Sequence, residues 1–284
     1  MVTERDIAVL IALDQYYVLS RQLLQQLCFP SDNDGRATRR RLQFLVDARL
    51  INRQKLLFAH PNGGSPASVY FPAVLGGELL AKHFDSSRYL ATNTLAPIPH
   101  HIPHWLAVSE THIAFDSAVA REEEVEISGW VNEWDVVNKD EQSPDKRYRL
   151  YSLLRENPRL VCAPDAAFLL SSKGHHKVFY LEQDRATSGA RQVAESKTKG
   201  YAAMADLDWQ LRHFPMSNVK PFNVLLIAPS PKRRDLLRQA IKGKPGAHLW
   251  KFACVQDLRP DTLLHAPIFH PCDGEPVPLV RRTT

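Results

Sequence analysis

Cysteine is scarce and unpaired in this chain. Cys28, Cys162, Cys254 and Cys272 lie far apart, with no CxxC among them. That pattern excludes a disulfide framework and offers no zinc ribbon. Such thiols belong to a reducing compartment, where they serve mostly as small core residues. Long apolar runs are missing as well. None approaches the roughly 20 residues that a bilayer requires, so no membrane association is expected. Internal repeats are also absent. The opening Met1-Val-Thr-Glu-Arg-Asp is charged and starts a helix directly, unlike the apolar core of a secretory signal. These absences point to a soluble, cytoplasmic protein.

What is present is an ordinary core-forming composition with unevenly placed charge. With 284 residues, 44% of them hydrophobic, the chain can form one large domain or two modest ones. The formal charge is only +5. Its distribution says more. Residues 185–259 hold fourteen Lys and Arg against five Asp and Glu, while Arg121 to Glu141 is acidic. A basic lobe beside carboxylates suits a polyanionic substrate, although a solvated helix face produces the same surplus.

Thr3, with Asp6 three residues on, reads as a helix N-cap, and Ile7, Leu10, Ile11 and Leu13 give that helix an apolar face. Ser20 caps a second helix, Arg21–Phe29, which Pro30 stops. The turn Ser31-Asp-Asn-Asp-Gly opens a third, from about Arg36 to Arg49. Leu42, Leu45 and Val46 form its buried stripe, and Arg36, Arg39, Arg40 and Gln43 its opposite side. Leu50 to Phe58, the turn Pro61-Asn-Gly-Gly-Ser and Ser68–Phe71 read as a β-hairpin. Three helices and a hairpin make a winged helix-turn-helix, whose third helix enters the major groove of double-stranded DNA while the hairpin rests on the backbone. Arg36, Arg39, Arg40, Arg41, Gln43 and Lys55 are the candidate DNA contacts. The same shape also serves protein contacts. A last helix, Gly76–Phe84, closes a domain of residues 1–84.

Residues 85–103 carry Pro97, Pro99 and Pro103 with no apolar period, and read as a linker. The body, 104–260, predicts a helix over 104–121, a strand over 123–131 and a polar excursion over 138–158. Strands follow near 163–171 and 177–183, then a helix over 189–212, a strand at Phe222–Ala228, a helix over 231–242 and a strand at His248–Cys254. Residues 261–284 are expected as an irregular tail. The expected fold class is α/β within a chain that is α+β overall: an N-terminal winged helix-turn-helix, then a domain with a mixed central sheet.

Asp165 opens one of these apolar runs, and Glu182 and Asp184 close another. If the runs pair as neighbouring strands, three acids converge at one sheet edge. Buried carboxylates repel one another, and a hard divalent cation bound through oxygen relieves the repulsion. Lys197 lies a short helix away. Carboxylates, a cation and a lysine compose a phosphodiester-cleaving centre. The plain alternative is a set of strand-end carboxylates capped by backbone or paired with Arg185.

This order of elements resembles the restriction-endonuclease-like fold of the PD-(D/E)XK nucleases, carried by Pro164-Asp165 and Glu182. The chain as a whole resembles the replication-relaxation family of plasmid and mobile-element proteins, which joins a winged helix to such a domain. It is also similar to MOBC-class relaxases, which nick one strand at a transfer origin. The stretches that carry the likeness begin with Thr3-Glu-Arg-Asp-Ile-Ala-Val-Leu, the run Arg39 to Ile51 and His104-Trp-Leu-Ala-Val-Ser-Glu. Trp130 with Glu133, Phe179-Tyr-Leu-Glu-Gln-Asp-Arg and Lys197 with Tyr201 complete the set. The resemblance implies that Asp165 and Glu182 bind Mg²⁺ or Mn²⁺, with Glu110 and Glu133 as further carboxylates. The lysine of (D/E)XK is replaced here by Asp184, and Lys197 from the following helix matches its role, with Lys199 as the fallback. The implied activity is sequence-directed nicking at an origin, by water or through Tyr201 or Tyr180, with relaxosome or conjugation proteins as partners. Two other readings stay open. One is a non-enzymatic winged-helix regulator or relaxosome accessory protein with a degenerate nuclease-like domain. The other is a small-molecule-sensing transcription factor.

Overall fold

Capping groups and helix stops organise the first of the two units into which the chain divides, Met1–His112 and Ile113–Thr284. A computed structural model describes residues 1–56, 68–138 and 140–281. Helix α1 (Glu4–Tyr16) begins where the Thr3 amide donates to the Asp6 carboxylate at 2.6 Å, the expected cap. β1 (Leu19–Ser20) leads into α2 (Arg21–Cys28), where the Ser20 hydroxyl accepts from the Leu23 amide. α3 (Arg36–Asp47) opens after Gly35, at a φ of 68° that glycine adopts without strain. The Asp32 carboxylate then takes the Thr38 amide at 2.7 Å. Leu42 and Leu45 are buried and Arg36, Arg39, Arg40 and Gln43 exposed, as the periodicity predicts, while Val46, the third residue of the expected stripe, is half-buried.

β2 (Ile51–Lys55) and β3 (Ser68–Pro72) pair antiparallel, and β1 joins the other edge of β3. The turn expected at Pro61–Ser65, together with Phe58, lies outside the described residues. α4 (Val74–Phe84) starts two residues before its expected position. Segment 85–103 has more structure than a linker requires. A 3-10 turn at Ser87–Ala91 buries Tyr89, and the Tyr17 hydroxyl donates to the Leu95 carbonyl at 2.7 Å. Helix α5 (Ile102–Val119) follows.

In the second unit come β4 (Val125–Asn132), α6 (Pro144–Arg147), β5 (Ser152–Arg155), β6 (Leu160–Cys162), β7 (Ala166–Ser172) and β8 (His175–Gln183). They are followed by α7 (Ala190–Asp206), α8 (Gln210–His213), β9 (Val219–Ala228), α9 (Pro231–Ile241), β10 (Trp250–Cys254) and β11 (His270–Pro271). Among the described residues six of these strands form one mixed sheet, in the order β11-β10-β9-β8-β7-β4, and β5 pairs with β6 apart from it. β4, β7 and β8 run antiparallel to their neighbours, and β8, β9 and β10 run parallel, joined through α7 and α9. β9 is apolar from Val224 to Ala228 and buried throughout that run, as a strand covered on both faces must be.

Three expectations change in detail. The helix predicted over 189–212 is two, broken where Asp208 takes a φ of 50°. The polar excursion contains β5, and the tail contributes β11 with Phe269 and Cys272 buried. No helix among the described residues is long and apolar enough to cross a membrane. The chain is a mixed α+β protein.

Candidate active site

Strand register brings the acids together. Asn132 on β4 pairs with Ala166 on β7, and Ala166 pairs with Leu181 on β8. One step further along, Glu133, Asp165 and Glu182 stand side by side. Backbone bonds hold that step: the Glu133 amide donates to the Asp165 carbonyl at 2.9 Å, and the Asp165 amide to the Leu181 carbonyl at 3.1 Å. Side chains alternate along a strand, so the three acids continue the face of Val131, Ala167 and Tyr180, the face that packs with Ala194, Tyr201 and Met204 of α7. Glu133 and Asp165 each present a carboxylate oxygen, the two within 4.8 Å. The Asp165 Oδ2 also accepts the Gln183 amide at 2.7 Å. Asp165 and Glu182 are buried, at 8% and 6% exposure. The carboxylate oxygens of Glu133 and Asp165 are donors of a kind that a divalent cation accepts.

Lys197 enters the row from α7. Its ammonium lies 3.0 Å from Glu182 Oε1 and 2.8 Å from Oε2, and donates to the Ala163 carbonyl at 3.2 Å. One turn on, the Tyr201 hydroxyl donates to Glu182 Oε1 at 2.6 Å. Burial pushes the Glu182 carboxyl above its usual range. Lys197 opposes that shift, the Asp165 charge adds to it, and Tyr201 again opposes it. Burial works against the Lys197 charge, but the Glu182 and Asp165 carboxylates outweigh it and raise the ammonium's pKa. Gly200 explains how the helix comes so near. A Cβ there would meet the Val161 carbonyl at 3.0 Å and the Cys162 Cβ at 3.2 Å, so any other residue would press α7 and β6 apart by a few tenths of an ångström. The Ala163 that Lys197 contacts directly follows that strand.

The remaining candidates have other company. Asp184 does not join the row. Its two oxygens take both arms of the Arg233 guanidinium at 2.8 Å, and Arg233 also donates to the Ser188 carbonyl at 2.7 Å. Both side chains are largely covered, and Asp184 ties the end of β8 to α9. Arg185, the partner weighed from sequence, is not the one used. Glu133 is thus the third acid of the row. Glu110 lies on α5 in the first unit and is exposed, as is Lys199 on α7. Tyr201 and Tyr180 are fully buried, and burial raises both phenol pKa values well above normal. The Tyr180 hydroxyl is bonded to His213 Nδ1 at 2.9 Å.

In the first unit Arg36, Arg39, Arg40, Gln43 and Lys55 are exposed. Arg36 pairs with Asp34 at 3.1 Å, and Gln43 accepts from Arg53 at 2.8 Å. Arg41 differs from its neighbours. It turns back to the fully buried Asp6, which it binds through two nitrogens, and donates to the Met1 carbonyl at 2.8 Å. Its role here is to neutralise Asp6.

Sequence reasoning missed Arg233 and Gly200. The signal for the first was only the basic helix start Pro231-Lys-Arg-Arg, and for the second an isolated glycine inside a helical pattern.

No curated protein and no solved structure matches the chain. The profile of the Replication-relaxation family matches residues 10–215, which include the whole acid row, Lys197 and Tyr201. The chain belongs to the replication-relaxation family.

Proposed function

We propose that this replication-relaxation protein binds double-stranded DNA of a plasmid or mobile element and nicks it at an origin in a cation-dependent reaction. In this reading the first unit is a winged helix, with α3 in the major groove and the β2–β3 hairpin as the wing. Its support is the order of three helices and a hairpin, with Arg36, Arg39, Arg40, Gln43 and Lys55 on the exposed side. The second unit is read as a PD-(D/E)XK-like domain. The observation that carries the proposal is the row Glu133–Asp165–Glu182 with the Lys197 ammonium upon it.

Asp165, Glu182 and Glu133 would hold Mg²⁺ or Mn²⁺, which when bound supplies Lewis-acid polarisation of a phosphoryl oxygen. The Gln183 amide fixes Asp165, and Tyr201 fixes Glu182. Lys197 neutralises charge that develops on the phosphate. Burial of Tyr180 and Tyr201 favours water over a tyrosine as the attacking group.

A second reading keeps DNA binding without cleavage. It is favoured by Asp184, which stands where the (D/E)XK pattern has lysine and is occupied by Arg233.

The purified protein is expected to convert supercoiled origin plasmid to open circles with Mg²⁺ or Mn²⁺. Asp165→Ala and Glu182→Ala should each lower nicking by about 100-fold or more while leaving gel shifts unchanged. Binding without nicking under every cation tried would select the second reading. Normal cutting by both variants would remove the acid row from the mechanism. Arg39→Ala and Arg40→Ala should each weaken binding by about 1 kcal/mol and reduce its salt dependence; unchanged affinity would contradict the groove placement.

A further inference from the structure

The two oxygens of Glu182 keep unlike company. Oε1 accepts from the Tyr201 hydroxyl at 2.6 Å and from Lys197 at 3.0 Å, which occupies both lone pairs of that oxygen. Oε2 meets Lys197 alone, at 2.8 Å. A cation that reaches Glu182 must therefore take Oε2, where the ammonium now sits. Tyr201 cannot yield its place. It is fully buried, edge-on to Trp250 with ring centroids 5.2 Å apart. Lys197 can: its side chain is 30% exposed against 8% for Glu182, so it has room toward water that Glu182 lacks. Two positive centres on one buried carboxylate oxygen repel strongly, so only one stays.

Resting on the cation-dependent reading above, we propose that Lys197 is a built-in stand-in for the divalent cation at Glu182. It neutralises the acid row when no cation is bound. With a cation held at Oε2, its ammonium would move toward solvent. The lysine thus competes for the site it later assists. Its removal should tighten cation binding even as it abolishes cutting, whereas a lysine that acts only on the phosphate would leave cation affinity untouched.

The test uses the full chain and Mn²⁺ alone, without DNA. By calorimetric titration Lys197→Met should bind Mn²⁺ about tenfold tighter than the wild type. Its Tm should lie below the wild-type value in chelator and gain more on saturation with Mn²⁺. Lys197→Arg, which keeps a cation, should bind as the wild type does. Equal or weaker Mn²⁺ binding by Lys197→Met overturns the proposal. Should that variant not fold in chelator, the wild type itself decides. Acetylation of Lys197, followed by mass spectrometry, should rise several-fold when Mn²⁺ is added, and unchanged labelling overturns the exchange. Failure here, with Asp165→Ala and Glu182→Ala still unable to nick, would sink the stand-in role and leave the nuclease reading intact.

Discussion

Asp184 and Arg233 make a largely covered fork, their side chains 7% and 12% exposed, with two parallel bonds of 2.8 Å. Removing one partner leaves the other charge without its counter-charge, a loss of about 2 kcal/mol. Replacing both with apolar groups leaves nothing unpaired. Asp184→Asn and Arg233→Met are each expected to lower the urea midpoint, and the double variant Asp184→Leu with Arg233→Met to recover most of the loss. In the proposed reaction, any nicking lost in the single variants should return in the double variant. A double variant that is stable yet unable to nick would mean that the Asp184 carboxylate itself serves the reaction. Neither this pair nor Arg41 with Asp6 is legible in the sequence, since the partners lie 49 and 35 positions apart. Side-chain type showed that these residues were charged. Only the folded chain shows which charge each one meets.

At the scale of elements, local signals carried far. The Thr3 and Ser20 caps, the stripe of Leu42 and Leu45, and the apolar run Val178–Leu181 each mark an element that forms. Asp165 beside Glu182 was anticipated from strand ends alone. β5 and β6 were not, because Ser152–Arg155 and Leu160–Cys162 are too short to show a period. Yet this pair decides where α7 can lie. Gly200→Ala gains about 1 kcal/mol in helix propensity. Against that, its Cβ meets the Val161 carbonyl at 3.0 Å, and a backbone oxygen cannot swing aside. The variant is expected to be less stable than the wild type, with weaker nicking because Lys197 moves with the helix. A more stable Gly200→Ala would show that β6 gives way.

For the whole molecule, the family match ends at residue 215, but the sheet does not. β9 begins at Val219 and pairs with β8 from Lys177 to Gln183, the strand that leads to Glu182. Its Phe222, Val224 and Leu226 belong to the same core cluster as Tyr201. A fragment of residues 1–215 would leave β8 as an exposed, apolar edge. It is expected to aggregate or to show no amide protection in β7 and β8, as hydrogen exchange would reveal. A well-protected fragment would mean that β4, β7 and β8 suffice. The turn between β7 and β8 adds a genetic consequence. Lys173 and Gly174, at φ values of 50° and 77°, fix which residues face each other along the whole hairpin. Asp165 lies eight positions away, about 26 Å at an extended rise of ~3.3 Å per residue. One codon inserted at that distant corner would slide the two strands past each other and turn Asp165 to the opposite side. Frame-preserving insertions at Lys173-Gly174 should therefore score in a mutant screen as if they had struck the acids themselves.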